Sequence, residues 1–594
     1  MNLLLVLIIS VVVLFLGYVI YGSWLARQWG IDPKKETPAH SLEDGDDFEP
    51  TPPYVVLGHH FSSIAGAGPI NGPIQAAIFG WVPVLLWILL GGVFFGAVHD
   101  FGTLFTSLRN KGQSLALIVR DYIDNTAKTL FTLFAFLSLV LLVAAFTSIV
   151  AGTFAVTGAD AAVDDRNMTT ASISICFIGA AIVWGILFRG RRAPMDVDIV
   201  FGIVVIVICV AFGLIFHPLA LNTQAWMWIL GAYILAASLA PMWILLQPRD
   251  YLSSYLLYAM MLLSIVGIIG AGINGAVTNL DMPAFNGFWV SNAAVDASGT
   301  ALLNADGSSI INQAAASGYL FPTLFITIAC GAISGFHSLV ASGTTSKQID
   351  NELHAQPIGY GGMLIECVLA VISVCAVAFV WNQYQAGEFS APTQVFASGL
   401  SGMLSTVLGE ASQPVFYQLL ILAVSAFCLT TLDTATRLAR FMFQELWIPV
   451  GKTEATVSGW RAVLANKYVA TFVTVGLGLF LGMTGYSIIW PLFGAANQLL
   501  AALAMLAVSV WLRNAGHNNK MFYVPMVFMM LVTLASLFFT IRDKFVLFSG
   551  GPELLSAQAG GSVGVVVQLA IAAVLFVLAI VLAVKSFKSL MSRA

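Results

Sequence analysis

The sequence has very little charge for a chain of 594 residues. Only 9% of the residues are Asp, Glu, Lys or Arg, whereas 59% are hydrophobic and the mean hydropathy is +0.90. Soluble domains carry about 25% charged residues, so this composition excludes an ordinary soluble enzyme. The formal net charge of −4 leaves no basic surface that could neutralise a row of phosphates. We therefore expect no nucleic-acid partner.

Cysteine is also scarce, and it is not arranged for metal binding. The six cysteines lie inside apolar runs, without the spacing of a metal site or of a disulfide framework. We expect them to be small buried side chains. The chain also lacks a Walker-type phosphate loop, which argues against direct use of a nucleotide. The sequence therefore predicts neither an enzyme nor a resident cofactor.

Long apolar runs are what the sequence does contain. The first run, residues 2–21, has no positively charged start and no small-residue cleavage site, so we interpret it as a retained membrane helix. A bilayer core requires about 20 apolar residues per helix, and this length predicts about 15 spans in an all-α, multi-pass membrane protein. The predicted spans are 3–24, 55–76, 81–106, 129–157, 171–188, 196–217, 225–246, 253–277, 319–341, 358–381, 414–440, 468–484, 487–511, 521–541 and 563–584.

Basic residues separate by side along this series of spans. Of the 25 Lys and Arg residues, all but Arg166, Arg542 and Lys544 fall in loops on one side. Basic loops are retained in the cytoplasm, so the N-terminus is predicted outside and the C-terminus inside. The two longest outer loops, 278–318 and 382–413, contain no Lys or Arg, and we expect them to be solvated caps with some order.

Glycine and proline interrupt two of the predicted spans. Residues 66–73 of the second span contain three glycines and two prolines, and the ninth span has a weaker version at 331–338. Proline removes a backbone donor and glycine is unfavourable inside a helix, so both spans are predicted to be broken. The loop charges give them opposite directions, which is typical of inverted repeats. In such transporters, broken helices near the midplane bind a carboxylate and a cation.

Two alternatives remain open for these breaks. The glycines could serve close helix packing alone. If each repeat has five helices and the first repeat begins at the second span, the second repeat begins at the seventh span, which contains Ser238–Trp243. The seventh span therefore competes with the ninth as the counterpart of the second span. The ninth is preferred for its glycines, although it requires two surplus crossings. The predicted regions are 1–54 (an extra helix and a flexible acidic connector), 55–246 (first repeat), 247–318 (intervening helix and loop), 319–511 (second repeat) and 512–594 (C-terminal helices).

Four blocks of sequence resemble a known family. They are His59–Pro73, Gly91–Phe101, Gly335–Gln348 and Trp490–Gln498, and together they are similar to the carbon starvation protein A (CstA) family. The resemblance implies a secondary transporter of the bacterial inner membrane that imports peptides or small carboxylates such as pyruvate, linked to carbon starvation. It also implies the inverted-repeat fold of the amino acid–polyamine–organocation superfamily.

The broken helices supply the predicted substrate site. We expect the substrate carboxylate to lie at the N-terminal end of the half-helix that follows Gly66–Gly68, with His337 as a donor. The candidate substrate-binding residues are Ser63, Gly66, Ala67, Gly68, Pro69, Gly331, Ser334, Gly335 and His337.

The eleventh span is similar to a segment of the betaine–choline–carnitine transporters. There a Phe and two adjacent hydroxyl residues, spaced like Phe427, Thr430 and Thr431, help to bind sodium with carbonyls of the first broken helix. By this resemblance, Ala65 and Gly68 become carbonyl donors. Threonines inside helices also commonly bond back to the preceding turn, so coupling to H⁺ or to Na⁺ stays open.

Ionisable residues at membrane depth are costly and usually functional. Asp433 and Arg437 are four residues apart on one helix face, so they could instead form a structural pair. His99 and His337 are the better candidates for proton coupling, because histidine titrates near neutral pH. The candidate coupling and gating residues are His59, His60, His99, Asp100, Glu366, Asp433 and Arg437.

Two other functions are compatible with an apolar, multi-pass chain. His60 and His99 could bind haem in a redox subunit, although the broken helices would then have no role. A passive channel is the third hypothesis. The sequence does not decide between peptide and pyruvate as substrate, nor does it give the oligomeric state.

Overall fold

The computed structural model describes residues 2–44, 47–158, 161–187, 195–241, 244–278, 281–296, 299–304, 309–448, 456–549 and 561–592. Helices dominate this part of the chain, because a helix satisfies its own backbone hydrogen bonds within an apolar segment. Two short strands, β1 (Trp289–Val290) and β2 (Gly318–Tyr319), pair antiparallel between the two halves of the chain.

The helices follow the apolar runs of the sequence. The first half contains α1 (Leu3–Leu16), α2 (Ser23–Trp29), α3 (Pro38–Ser41), α4 (Pro53–Ile64), α5 (Gly68–Ala76), α6 (Trp81–Leu86), α7 (Ala97–Arg109), α8 (Leu115–Tyr122), α9 (Asn125–Phe154), α10 (Ala161–Leu187), α11 (Met195–Ile215), α12 (Thr223–Leu239) and α13 (Leu246–Ile273). The second half contains α14 (Leu320–Thr327), α15 (Gly335–Gly343), α16 (Gly362–Phe379), α17 (Trp381–Gln385), α18 (Pro392–Leu408), α19 (Gln413–Trp447), α20 (Trp460–Ala465), α21 (Lys467–Gly482), α22 (Tyr486–Asn514), α23 (Tyr523–Ser549) and α24 (Gly561–Ser592).

Short π-helical turns join some of these helices into longer units. They are Gly17–Gly22 between α1 and α2, Trp87–Gly96 between α6 and α7, and Gln356–Gly361 before α16. Counted across such turns, ten helices among the described residues are long and apolar enough to cross a membrane. Three shorter apolar helices and two broken ones accompany them. The chain is therefore a multi-pass membrane protein, as predicted, while the exact number of crossings stays a prediction.

Both predicted breaks are present. The first separates α4 from α5 at residues 65–67, and the second separates α14 from α15 at residues 328–334. The N-terminal half of each broken helix packs on the C-terminal half of the other, because α4 contacts α15 and α5 contacts α14. The two broken helices therefore run antiparallel, as the loop charges predicted.

Small residues allow the broken helices to cross closely. A Cβ atom on Gly68 would lie 2.3 Å from the Cβ of Cys330, so only glycine fits at this point. A Cβ on Gly72 would lie 2.5 Å from the carbonyl oxygen of Thr327. The close packing that glycine permits and the helix break are therefore both present, and the two interpretations of these glycines are compatible.

Two sequence-based expectations about the loops are wrong. The segment 382–413 is not a solvated cap, since α18 buries Val395, Phe396 and Leu400 against α13, α16 and α19. Its many Ser, Thr and Gly residues lower the hydropathy and conceal the buried face.

The described residues of the acidic connector, 25–44 and 47–54, make specific contacts with the rest of the chain, which a flexible connector would not make. The Glu49 N–H donates to the Lys347 carbonyl at 3.3 Å, and Thr51 pairs with Ile349 in a parallel bridge. Glu352 accepts from Arg109 Nη2 at 2.8 Å and from the Asp32 N–H at 2.7 Å. The acidic segment thus finds backbone and charged partners on the face that carries the basic loops.

The contact between α15 and α22 predicts a sharp difference between two glycines. A Cβ on Gly335 would lie 2.3 Å from the Asn497 carbonyl oxygen and 2.5 Å from the Ala501 nitrogen, both backbone atoms. Gly335→Ala should therefore reduce stability by about 1–3 kcal/mol through overpacking. The midpoint of thermal unfolding in detergent measures this loss.

Gly476→Ala in α21 is the matched control, because no atom lies within 4 Å of a Cβ at that position. It should leave the midpoint unchanged. Equal midpoints for the two variants would contradict the close approach of α15 to α22.

Candidate functional site

The freed backbone groups of the second break are bound by side chains of neighbouring helices. The Phe336 N–H donates to Asn497 Oδ1 at 2.8 Å, and Trp87 Nε1 donates to the Ile328 carbonyl at 3.3 Å. Gln498 Nε2 donates to the Phe325 carbonyl. These bonds satisfy groups that would otherwise be unpaired in an apolar interior. Ser334 joins the same network, since Asn497 Nδ2 donates to its hydroxyl at 3.1 Å.

The first break is held in the same way. The Thr431 hydroxyl donates to the Ser63 carbonyl at 3.3 Å, just before α4 ends. At the far end of α5, the Tyr384 hydroxyl donates to the Ile74 carbonyl at 2.9 Å. The two breaks are adjacent, because a Cβ on Gly331 would lie 3.5 Å from the Cα of Pro69. The predicted substrate residues of the two breaks therefore lie on adjoining segments at the crossing.

The predicted sodium ligands are only partly brought together. Thr430 donates to the carbonyl of Ala426 at 3.1 Å, the bond to the preceding turn that was the alternative interpretation. Thr431 lies against the first break, but its bond is to Ser63 rather than to Ala65 or Gly68. Phe427 is buried beside them. The sodium site stays a prediction.

Four ionisable side chains form one fully buried cluster beside the crossing, and we call it the central cluster. His99 Nδ1 and His337 Nδ1 each lie 2.7 Å from a different oxygen of Asp100. On the other side of the same imidazole, His337 Nε2 lies 3.3 Å from Glu366 Oε2. All four side chains are 0% exposed.

The central cluster is assembled from three different helices. Asp100 and His99 come from α7, His337 from α15 and Glu366 from α16. The helix that carries His337, α15, also packs on α4, which ends at Ile64. The arrangement places an imidazole, a group that can take up or release a proton near neutral pH, between two carboxylates.

A second buried network, which we call the arginine network, lies between α12, α13 and α19. Arg249 Nη1 binds both Asp433 Oδ2 and the Tyr233 hydroxyl oxygen, and the Tyr233 hydroxyl donates to Asp433 at 2.8 Å. Asp250 lies next to it, with Oδ1 3.5 Å from Arg249 Nη2 and Oδ2 3.4 Å from His59 Nδ1.

The arginine network corrects two sequence-based interpretations. Asp433 does not pair with Arg437, because its partner is Arg249 and Arg437 Nη2 instead donates to the Ala240 carbonyl at 2.5 Å. Arg249 was counted with the cytoplasmic loops, yet it is only 1% exposed. The adjacent Arg249 and Asp250 at the start of an apolar run were the signal that sequence reasoning missed.

The two candidate haem ligands have separate partners. His60 Nδ1 lies 2.8 Å from Thr345 Oγ1, whereas His99 Nδ1 binds Asp100.

Cavities lie towards both ends of the bundle, and they differ greatly in size. One of about 690 Å³ is lined by residues of the 289–327 segment and by Gln75, Tyr486, Trp490 and the end of α23. Another, of about 30 Å³, is lined by His59, Asp250 and basic-loop residues such as Lys347.

An aromatic column leads from the larger cavity to the first break. Ring centroids are 5.2 Å apart for Tyr486 and Trp490, 5.6 Å for Trp490 and Phe493, and 6.0 Å for Phe493 and Phe146. Phe146 in turn lies against Gly66, where a Cβ would be 2.5 Å from its ring. These rings pack against one another between the larger cavity and the first break.

The family model and the curated relatives agree on one family. The family model described as carbon starvation protein CstA matches residues 2–391 and 381–536. The peptide transporter CstA of Campylobacter jejuni is 32% identical, with 88% of this chain and 78% of that protein covered. The pyruvate/proton symporter BtsT of Escherichia coli is 30% identical, with 92% and 82% covered. A solved structure of the Eremococcus coleocola manganese transporter aligns over 92% of this chain and 99% of its own, at 13% identity and a TM-score of 0.46.

The buried pair of Arg249 and Asp433 predicts strong coupling in stability. Asp433→Leu should lower the free energy of unfolding by about 3–5 kcal/mol, because it leaves a buried guanidinium without its main partner. Arg249→Met should act similarly. The double variant should lose clearly less than the sum of the two single losses, as measured by thermal unfolding in detergent.

Lys585→Ala provides the control for this cycle. Lys585 pairs with Asp124 at 3.2 Å, but the two side chains are 34% and 46% exposed, and such solvent-accessible pairs contribute about 0–1 kcal/mol. If the double variant lost as much stability as the two single variants together, the buried pair of Arg249 and Asp433 would be refuted.

Proposed function

Because this chain belongs to the carbon starvation protein CstA family, we propose that it is a secondary transporter that imports a small carboxylate or a short peptide together with protons across the bacterial inner membrane. The relatives named peptide transporter and pyruvate/proton symporter support this class of substrate and this coupling ion. Pyruvate and peptides share a carboxylate at neutral pH. These relatives give no support to a haem-binding subunit or to a passive channel.

The observation that carries the proposal is the position of His337. This buried imidazole lies between the carboxylates of Asp100 and Glu366, on a helix that packs on α4. Ionisable groups inside a membrane protein usually mark a substrate or proton pathway. A group that can exchange a proton thus lies on a helix that contacts the broken helix where the substrate is expected to bind.

We place the substrate carboxylate at the beginning of α5, after Gly66–Gly68. The N-terminus of a buried half-helix carries a partial positive charge that favours an anion. The N-terminus of α15 at Gly335 is less available, since Asn497 Oδ1 already accepts the Phe336 N–H there. His337, on α15, would donate to the bound carboxylate from the other broken helix.

Charge balance explains how proton and substrate would be coupled. If Asp100 forms an ion pair with protonated His337 while His99 is neutral, an ionised Glu366 leaves one buried negative charge uncompensated. Such a charge is costly in an apolar interior, and a proton on Glu366 removes the cost. A substrate carboxylate adds a further negative charge nearby, so the proton and the substrate each favour binding of the other.

Packing supports two inverted repeats, with α10 and α11 as the surplus crossings. The contact of α13 with α19 corresponds to the contact of α22 with α9 when the two halves of the chain are exchanged. In the same way, the contact of α5 with α16 corresponds to the contact of α15 with α7. We propose that the repeats are α4–α9 with α12 and α13, and α14–α16 with α19, α21 and α22. This assignment pairs the second span with the ninth and moves the end of the first repeat from residue 246 to 273.

The arginine network would form the inner gate. It joins α13 to α19 on the side that carries the basic loops, where the smaller cavity lies next to Asp250 and His59. Opening a path to the cytoplasm requires α13 and α19 to separate, and hence the bond between Arg249 and Asp433 to break.

Uptake into proteoliposomes tests the proposed function. With an acidic exterior, labelled pyruvate or labelled alanyl-alanine should accumulate above its external concentration, because inward proton flow drives import. The signal should collapse when the pH gradient is removed, and an inward sodium gradient alone should not restore it.

Liposomes without protein give the background for this measurement. Accumulation that follows the sodium gradient would contradict proton coupling and would support the threonine site instead. Failure to accumulate either compound under any gradient would contradict the proposed function.

Glu366→Gln tests the coupling role of the central cluster. Glutamine preserves the shape of the side chain but cannot exchange a proton. Accumulation driven by the pH gradient should be lost, whereas exchange of labelled for unlabelled substrate without a gradient should continue. Glu410→Gln is the control, because Glu410 lies exposed before α19. Full gradient-driven accumulation by Glu366→Gln would show that Glu366 carries no coupled proton.

A further inference from the structure

The larger cavity, which we call the outer vestibule, contains two of the three basic residues that the sequence places outside. Arg542 and Lys544 line it from α23, although the outer loops contain almost no other basic residue. Its volume of about 690 Å³ lies within the usual range of about 300–1,000 Å³ for small-molecule sites. A cavity large enough for a dipeptide is thus lined by two of the few basic residues that the sequence places outside.

The two basic residues have different partners. Arg542 binds Asp543 with both Nε and Nη2, at 2.9 and 2.7 Å, and its guanidinium lies over the ring of Phe539. Among the described residues, Asp543 is the only carboxylate of the lining, and no described carboxylate forms an ion pair within 4 Å of Lys544 Nζ. Because Lys544 is partly buried and has no such ion pair, it is the basic residue of the vestibule that is available to bind an anion.

Helix stabilisation does not account for Lys544. Basic residues are favoured in the last turn of a helix, where the effect of the macrodipole is concentrated. The helix α23 continues to Ser549, so Lys544 lies more than one turn before its end. A purely local role leaves the position of Lys544 in the wall of a cavity unexplained.

The floor of the vestibule belongs to the transport core. Tyr486 accepts from Asn71 Nδ2 at 3.3 Å and from Gln75 Nε2 at 3.0 Å, and both amides project from α5. The same tyrosine is the first ring of the aromatic column that ends at Gly66. A ligand in the vestibule therefore contacts the half-helix whose other end is the proposed substrate site.

We propose that the outer vestibule binds the substrate carboxylate before translocation, with Lys544 as its binding residue and Tyr486 as the movable floor. This inference rests on the proposed function and adds a first binding site to it. Tyr486 is the first ring of the aromatic column. It becomes free to move when the hydrogen bonds that the side-chain amides of Asn71 and Gln75 donate to its hydroxyl are broken. The carboxylate can then pass from Lys544 towards the start of α5.

Transport kinetics in proteoliposomes test the vestibule. Lys544→Ala should raise the KM for pyruvate and for alanyl-alanine about tenfold, the effect of losing one charged hydrogen bond. Lys544→Glu should raise it further, and Lys544→Arg should restore it. The maximal rate should stay within about twofold of the original, because the central cluster is untouched. A purely structural role would lower the amount of active protein and not the KM.

Lys520→Ala is the matched control, since Lys520 is exposed just before the opposite end of α23. Its KM should equal that of the unaltered protein. An unchanged KM in Lys544→Ala would overturn the proposal and leave the proposed function standing.

An anionic lipid headgroup could bind Lys544 by the same chemistry as a substrate carboxylate. Vesicles with and without an anionic lipid distinguish the two ligands. The Lys544→Ala effect should be the same in phosphatidylcholine alone and with phosphatidylglycerol added. An effect that requires phosphatidylglycerol would assign Lys544 to lipid and overturn the proposal.

Direct binding separates this proposal from the proposed function. Trp289 and Trp490 line the vestibule, so added pyruvate or alanyl-alanine should change the tryptophan fluorescence of the detergent-solubilised protein. Lys544→Ala should weaken this response about tenfold. Binding that depends on Lys544 without uptake would refute the proposed function alone. Binding that does not depend on Lys544 would refute the vestibule site.

Discussion

A helix that is interrupted in an apolar interior must find new partners for its freed backbone groups, and this requirement organises the whole centre of the molecule. Neighbouring helices meet it with Thr431 at the first break and with Asn497, Gln498 and Trp87 at the second. These bonds fix the long helices α19 and α22 against the crossing. The scaffold thus holds two half-helix N-termini in place without a continuous helix through either.

Scarcity of charge gives the remaining ionisable groups their importance. The central cluster and the arginine network gather six buried ionisable residues into two groups, each assembled from several helices. Because an unpaired charge is so costly here, a change in protonation in one group requires a compensating change nearby. This physical link makes the interior suitable for coupling rather than only for packing.

The sequence predicted the membrane class, the two breaks and their opposite directions, because these depend on local hydropathy, glycine and proline, and loop charge. It also identified His337, Asp100 and Glu366 as individual candidates. It did not predict that one imidazole joins both carboxylates, or that Asp433 pairs with Arg249 instead of Arg437, since these contacts depend on how distant helices pack. The buried α18 was missed because its small polar residues resemble those of a loop.

The contacts of the acidic connector constrain how the bundle can move. It ties the chain just before α4 to the segment that links α15 with α16, through the backbone bonds of Glu49 and Thr51 and through Glu352. The start of α4 and the chain that follows α15 are therefore joined by backbone hydrogen bonds and are expected to move together. Any rearrangement that separates the start of α4 from the segment after α15 must therefore break these backbone bonds.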